Sequence, residues 1–161
     1  MRLAPAMVTV LGMWGLTLAQ TGVAPLKLRV TGQEYTWAIR YAGVDGRLDT
    51  SDDVVRGPDL RLPARRGVAL ELVSADYVYA FSLPELDVSD LAVPDKPFVL
   101  TFETESPGTS RLMGSQMCGF AHPGLMADLI VVPQAEFDAW MAATAAGPPG
   151  PARAWRQAAG E

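Results

Sequence analysis

The sequence predicts an all-β sandwich followed by one short C-terminal helix, and three observations support this prediction. Apolar and polar residues alternate with a period of two over several short segments, as expected for half-buried strands. Turn residues separate these segments at short, regular intervals. Of the 161 residues, 49% are apolar, which is enough for one domain with a sizeable core and argues against disorder.

The clearest strand pattern lies at 34–41, where Tyr35, Trp37, Ile39 and Tyr41 would share one face. The seven or eight strands expected in the whole chain would be drawn from 27–30, 34–41, 59–62, 68–73, 77–83, 98–103, 109–113 and 126–132. Their number and spacing are typical of a β-sandwich.

A helix is predicted at 134–144, because Phe137, Trp140 and Met141 recur there at helical spacing. We expect this apolar face to pack on the rim of the sandwich. The aspartate-rich segment 43–53 lacks the ligand spacing of a calcium loop, so we interpret it as a solvated turn.

The two ends of the chain differ from this domain in composition. Residues 1–19 combine Arg2 with an apolar run, which indicates a signal peptide or an N-terminal membrane anchor. Either interpretation places the domain, residues 20–146, in the periplasm or another extracytoplasmic location. Residues 147–161 are rich in Pro, Gly and Ala and are predicted to form a flexible tail.

The charge and the motifs exclude several classes of function. A net charge of −5 argues against nucleic-acid binding and favours a basic protein partner, such as a basic electron carrier. The chain has one histidine and neither a nucleophile elbow nor a phosphate-binding glycine loop. We therefore expect no independent catalytic site.

The segment 113–126 contains the single cysteine and the single histidine of the chain. Cys118, His122 and Met126 follow one another at four-residue spacing, and a turn at Pro123-Gly124 could direct all three side chains at one point. A thiolate, an imidazole and a thioether together suit copper. Ordinary core packing is the alternative, because free cysteine and methionine are common core residues.

Four segments resemble one family, the periplasmic domain of cytochrome c oxidase subunit II. Residues 32–41 are similar to its aromatic strand, and 74–84 match its Ser-x-Asp segment that ends at proline. Cys-Gly-Phe-Ala-His at 118–122 matches its Cys-Gly-x-x-His, and 133–140 resemble its closing helix. The resemblance implies a CuA-type, cupredoxin-like Greek-key β-sandwich.

The family's dinuclear copper centre, CuA, uses two cysteines, two histidines, one methionine and a backbone carbonyl. At the corresponding positions this chain has Tyr79 for one histidine, Gly114 for one cysteine and Gln116 for the glutamate that lends its carbonyl. Only Cys118, His122 and Met126 remain. One thiolate cannot form the two-sulfur bridge, so the resemblance implies a single copper and not an ordinary CuA centre.

Two functional hypotheses follow from the incomplete ligand set. The first is a single-copper domain for respiratory electron transfer or copper handling, with Tyr79, Met113, Met117 or a partner residue completing the site. The second is a metal-free structural subunit of a haem-copper oxidase. The implied partners are a haem-copper oxidase subunit I, a c-type cytochrome or another electron carrier. Tyr35 replaces the family's electron-accepting tryptophan, and 93–96 depart from its docking turn.

Overall fold

A computed structural model describes residues 23–116, 119 and 122–146. The predicted signal or anchor at 1–19, the tail at 147–161 and Cys118 lie outside the described residues. No helix in the described part is long and apolar enough to cross a membrane.

The described chain forms two five-stranded sheets and one C-terminal helix, which confirms the predicted cupredoxin-like fold class. In order, the elements are β1 (Leu26–Gln33), β2 (Thr36–Tyr41), β3 (Val54–Arg56), β4 (Leu60–Pro63), β5 (Gly67–Ser74), β6 (Tyr79–Leu83), β7 (Val88–Ala92), β8 (Phe98–Glu103), β9 (Gly108–Gln116), β10 (Ala127–Val132) and α1 (Gln134–Ala146).

The first sheet has the strand order β3-β2-β1-β5-β8 and the second has β4-β10-β9-β6-β7. The pairs β1–β5 and β4–β10 are parallel, and all other pairs are antiparallel. Alternate side chains of both sheets are buried between them, as the period-two pattern requires. Among the fully buried residues are Leu28, Ile39, Leu70, Leu72, Leu60, Leu112 and Leu83.

Ten strands form in the described chain, whereas the sequence predicts seven or eight. The unpredicted strands are β3 and β7, which lie at sheet edges. Strand β3 has only three residues, and β7 carries Ser89 and Asp90 beside Val88, so neither gives a strong apolar alternation.

The predicted strand 34–41 begins two residues too early. Glu34 and Tyr35 form the turn between β1 and β2 and have positive φ angles of 49° and 60°. Two consecutive positive φ values are characteristic of the type I′ turn, which matches the twist of a tight hairpin. Tyr35 therefore projects from a turn, while Trp37, Ile39 and Tyr41 continue the buried face as predicted.

The predicted helix at 134–144 is confirmed as α1. Phe137 is 4% exposed and packs edge-on to Tyr41, with ring centroids 6.0 Å apart. Trp140 and Met141 also pack against the core from the same helix. In the 43–53 segment, Asp53 accepts a hydrogen bond from Arg40 at 3.0 Å, so this carboxylate has a protein partner.

Candidate metal centre

The candidate centre lies on the connection between β9 and β10. Within this connection His122 precedes a 3₁₀ turn, Pro123–Leu125, and Met126 follows it directly. The amide of Leu125 donates to the His122 carbonyl at 2.9 Å, and that of Met126 donates to the Pro123 carbonyl at 3.2 Å. These bonds fix the backbone between the imidazole and the thioether.

Gly124 allows this turn to lie against the β1–β2 hairpin. Gly124 does not have a positive φ angle, so close approach to the hairpin is the reason for glycine at this position. A Cβ atom at Gly124 would lie 2.5 Å from the carbonyl oxygen of Tyr35. Any larger residue would have to move the turn away from the hairpin.

The imidazole of His122 is exposed and stacks on the ring of Tyr35, with centroids 4.8 Å apart and planes at 30°. Its Nδ1 accepts a hydrogen bond from the Gly124 amide at 3.3 Å. Among the described residues, Nε2 has no hydrogen-bond partner. This nitrogen is therefore the one open to a metal ion or an external donor in this conformation.

Tyr35 links His122 to a wider aromatic cluster at this end of the sandwich. Its ring stacks on Tyr77 at 5.7 Å and meets Tyr79 edge-on at 6.1 Å. Tyr77 is half exposed, whereas Tyr79 is fully buried. The stack therefore consists of three rings, with the exposed imidazole of His122 at one end and the half-exposed Tyr77 at the other.

Tyr79, at the position of the first family histidine, has both hydrogen-bonding functions of its hydroxyl in use. The hydroxyl donates to Asp76 Oδ1 at 2.7 Å and accepts from the Tyr35 amide at 3.3 Å. Burial, followed by the hydrogen bond to Asp76, raises the pKa of Tyr79. A neutral, hydrogen-bonded phenol is a poor copper ligand, so Tyr79 does not replace the missing imidazole in this arrangement.

Asp76 has a role in this cluster that was not predicted from the sequence. It accepts hydrogen bonds from the Glu34 amide at 2.7 Å as well as from Tyr79. Burial tends to raise the pKa of Asp76, but these hydrogen bonds outweigh burial and hold the pKa below its ordinary value. Its place in the Ser-x-Asp segment of 74–84 is the one sequence signal that pointed to it.

Gly114, at the position of the first family cysteine, is buried in β9 and tightly surrounded. A Cβ atom there would lie 2.8 Å from the Leu125 carbonyl oxygen and 2.8 Å from Cζ2 of Trp37. Met113, the next residue back, is 44% exposed and points to the opposite face of the strand. Met113 is therefore not placed to complete a site on the inner side of β9.

The described residues contain no cluster of three or more His, Cys, Asp or Glu side chains that could hold a metal ion. His122 and Met126 flank one short turn, as predicted, while Cys118 and Met117 lie outside the described part. The donor set excludes a dinuclear two-thiolate centre, because the chain has one cysteine and both Tyr79 and Gly114 are packed in other ways. A thiolate, an imidazole and a thioether fit one copper ion.

The fold and this connection together define the class to which the chain is similar, the cupredoxin-like domain of oxidase subunit II. No family model matches the sequence. The chain is 28% identical over 134 residues to cytochrome c oxidase subunit 2 of Synechocystis sp., covering 83% of this chain and 38% of that protein. It is 27% identical over 137 residues to the alternative cytochrome c oxidase subunit 2 of Bradyrhizobium diazoefficiens, covering 71% of this chain and 50% of that protein.

Solved structures show the same fold. The periplasmic domain of subunit II of cytochrome oxidase (CoxB) of Bradyrhizobium japonicum matches with a TM-score of 0.64 and 20% identity, over 76% of this chain and 94% of that domain. Subunit II of cytochrome c oxidase in its mixed disulfide with the thioredoxin-like protein TlpAs matches with a TM-score of 0.62 and 21% identity, over 75% of this chain and 92% of that chain. The predicted resemblance to the periplasmic domain of cytochrome c oxidase subunit II is confirmed. The chain spans at most half the length of the two curated relatives described above.

Proposed function

We propose that this chain is an extracytoplasmic domain of the oxidase subunit II type that binds one copper ion through Cys118, His122 and Met126. Its role would be respiratory electron transfer or copper handling. The observation that carries the proposal is the turn at Pro123–Leu125, which has the exposed His122 on one side and the partly buried Met126 on the other. The similarity to oxidase subunits and to periplasmic domains supports the location and the class of partner.

The protein side chains would perform distinct tasks in such a site. Cys118 would supply the thiolate, His122 the imidazole Nε2 and Met126 a weak thioether ligand. A bound copper would supply one-electron redox chemistry. The hydrogen bond from the Gly124 amide to Nδ1 and the stacking on Tyr35 would hold the ring orientation, since a ligating histidine needs its second nitrogen and its plane fixed.

The proposed partners are a haem-copper oxidase subunit I, a c-type cytochrome or another electron carrier. The net charge of −5 favours a basic partner surface, and the Tyr77–Tyr35–His122 stack offers aromatic contact area at the same end of the domain. Residues 1–19 would either be removed as a signal peptide or anchor the domain to the membrane.

The test is anaerobic titration of the full chain with Cu(I) and with Cu(II), read by visible absorption and bound-metal analysis. We expect one copper per chain, lost in Cys118→Ser and in His122→Ala, and bound at least tenfold more weakly in Met126→Leu. Met113→Leu is the matched control, because Met113 is exposed on the outer face of β9 and should leave binding unchanged.

A metal-free structural subunit is the second candidate, and the packing of Tyr79 and Gly114 favours it. Both missing ligand positions are integrated into the core. In that case neither copper form would bind at micromolar protein, and Cys118→Ser and His122→Ala would leave the metal content unchanged. A strong thiolate-to-copper absorption band would instead support the electron-transfer role, and a colourless Cu(I) complex would support copper handling.

A further inference from the structure

We infer that the groove between α1 and the loop 43–53 is a docking site for the chain's own C-terminal segment, residues 147–161, with the indole of Trp155 in the groove. The groove lies beside the start of β1 at Leu26, whereas the candidate metal centre meets the other end of this strand at the β1–β2 hairpin. The two sites share no residue, so docking of this segment does not depend on copper binding.

The groove has a volume of about 540 Å³ and a mostly apolar lining. One face of α1 forms its first wall, because the lining positions of this helix recur at helical spacing: 134, 137, 138, 141, 142 and 145. The loop 43–53 forms the opposite wall, and Leu26 and Val54 contribute from the first sheet. A cavity of this size and composition is typical of a binding site.

Apolar side chains on both walls of the groove are exposed in the described structure. Val44 on the loop is fully exposed, and so are Ala142 and Ala145 in the last turns of α1 to a large extent. Met141 beside them is only partly buried. Apolar groups that face solvent from two sides of one groove indicate a contact surface.

Carboxylates outnumber cations around the groove. Asp52 and Asp53 line it from the loop, and Asp138 lines it from α1. The one cation among the described lining residues is Arg66. Because Asp53 already pairs with Arg40 at 3.0 Å, its attraction for an occupant is weaker than that of Asp52. The groove therefore favours an occupant that combines an apolar group with positive charge.

The sequence after α1 supplies such a group. Residues 153–156 read Arg-Ala-Trp-Arg, so a guanidinium stands on either side of the indole of Trp155. The preceding Gly-Pro-Pro-Gly-Pro at 147–151 contains the turn residues that a reversal of direction along α1 requires. Trp155 lies nine residues after Ala146 and can be about 30 Å away from it, whereas the 13 residues of α1 extend about 20 Å. The indole can therefore reach any part of the groove.

Covalent attachment favours this segment over other occupants. A short linker gives an effective concentration on the order of millimolar, so a contact that is weak in itself is enough to fill the groove. A second copy at micromolar concentration would compete poorly with it. The N-terminal segment 1–22 is also attached, but its one charged side chain, Arg2, stands at its far end.

The first experiment follows the methyl group of Met141 by NMR in the full chain with labelled methionine methyls. We expect a nuclear Overhauser effect between this methyl and the indole of Trp155, and an upfield ring-current shift that Trp155→Ala removes. Gln157→Ala is the matched control in the same segment and should leave the Met141 resonance unchanged. The resonance of Met113, which is exposed on the outer face of β9, should not change in either variant.

Three results would overturn the inference. The first is a Met141 resonance that is the same in the wild type and in Trp155→Ala, without contact to the indole. The second is contact between Met141 and residues 1–22, which would assign the groove to the N-terminal segment. The third is a Met141 resonance that moves with protein concentration, which would assign the groove to a second copy.

The second experiment blocks the groove from the helix side. Ala142→Arg adds a long cationic side chain to the groove wall, whereas Ala143→Arg, the matched control, adds it at an exposed position of α1 outside the lining. Chymotrypsin cleavage after Trp155, read by mass spectrometry, should be at least fivefold faster in Ala142→Arg than in the wild type and unchanged in Ala143→Arg. Equal rates in all three proteins would overturn the inference, because access to Trp155 would then not depend on the groove.

Discussion

At the residue scale, Tyr79, at the position that the resemblance assigns to a family histidine, is part of the hydrophobic core. Its ring is fully buried, and its hydroxyl joins Asp76 to the amide of Tyr35. The hydroxyl therefore stabilises the β1–β2 turn and the segment before β6 at the same time. An imidazole at this position could not repeat both hydrogen bonds with the same reach.

The raised pKa of Tyr79 predicts a loss of stability at alkaline pH. The unfolded chain releases this proton near an ordinary pKa of about 10, while the folded chain retains it to higher pH. The contribution is complete below about pH 10 and is lost as the pH rises above that value. Urea unfolding measured between neutral and alkaline pH should show that the free energy of unfolding falls with pH, and that it falls less steeply in Tyr79→Phe.

Tyr77→Phe is the control, because the ring of Tyr77 is half exposed, and this variant should show the same pH dependence as the wild type. A wild-type pH dependence in Tyr79→Phe would contradict the assignment to Tyr79.

Gly124 is the residue that determines how closely the His122 turn approaches the hairpin. Gly124→Ala should displace the turn from the Tyr35 carbonyl and destabilise the protein by about 1–3 kcal/mol. The His122 ring should also separate from Tyr35. The chain has one histidine, so its imidazole proton resonances in NMR report directly on the loss of ring stacking. Stacking on the Tyr35 ring should shift these resonances upfield in the wild type. If they remain upfield in Gly124→Ala, the position of the turn does not depend on this contact.

At the element scale, the candidate centre depends on the meeting of the β1–β2 hairpin with the β9–β10 connection. Trp37 and Tyr35 come from the hairpin side, and Leu125 and His122 come from the connection. The Nε1 group of Trp37 donates a buried hydrogen bond to the Leu125 carbonyl, and the ring of Tyr35 stacks on the imidazole of His122. The first sheet therefore helps to position the imidazole, although His122 itself belongs to a connection in the second sheet.

Sequence reasoning predicts most of the elements because the period-two alternation of β2, β5 and β8 is strong. It places Tyr35 wrongly in a strand, because a tyrosine at the right period cannot be distinguished from one in a type I′ turn. The edge strand β7 is missed because its sequence, Val-Ser-Asp-Leu-Ala, does not alternate between apolar and polar residues, although its burial alternates. The proposed ligands His122 and Met126 are predicted from ligand chemistry, whereas the Trp37–Gly114 contact results from long-range packing that no local sequence pattern predicts.

The helix α1 contributes through one buried ring. Phe137→Ala should destabilise the protein by about 3–5 kcal/mol, because it empties a site that contacts Tyr41 and Trp140. Met141→Ala, at a partly buried position on the same helix, should cost less. Thermal unfolding followed by circular dichroism would measure both, and equal losses would argue against Phe137 as the main contact of the helix.

At the scale of the whole molecule, the carboxylates with lowered pKa predict acid sensitivity. A hydrogen bond from Arg29 lowers the pKa of Asp49, one from Thr50 lowers that of Asp52, and several bonds together lower that of Asp76 despite burial. As the pH falls, each of these carboxylates binds a proton in the unfolded chain at a higher pH than in the folded chain. Their contribution to the free energy of unfolding is therefore complete above about pH 4 and is lost as the pH falls below that value.

Urea midpoints of unfolding should decline as the pH is lowered below about 4, and they should decline less steeply in Asp76→Asn. Asp138→Asn on the exposed face of α1 is the control and should leave the slope unchanged. A wild-type slope in Asp76→Asn would show that the hydrogen bonds of Asp76 contribute nothing to the pH dependence.

The molecule as a whole has the sandwich fold of the periplasmic domain of oxidase subunit II, and we propose that Cys118, His122 and Met126 bind one copper ion while Tyr79 and Gly114 belong to the core. Copper-edge X-ray absorption of the copper-loaded full chain tests this account most directly. We expect one copper with a sulfur and a nitrogen ligand and no copper–copper scattering, and we expect the sulfur contribution from thiolate to disappear in Cys118→Ser. Copper–copper scattering, or a chain that retains no copper under conditions that load a subunit II with both cysteines, would contradict the account.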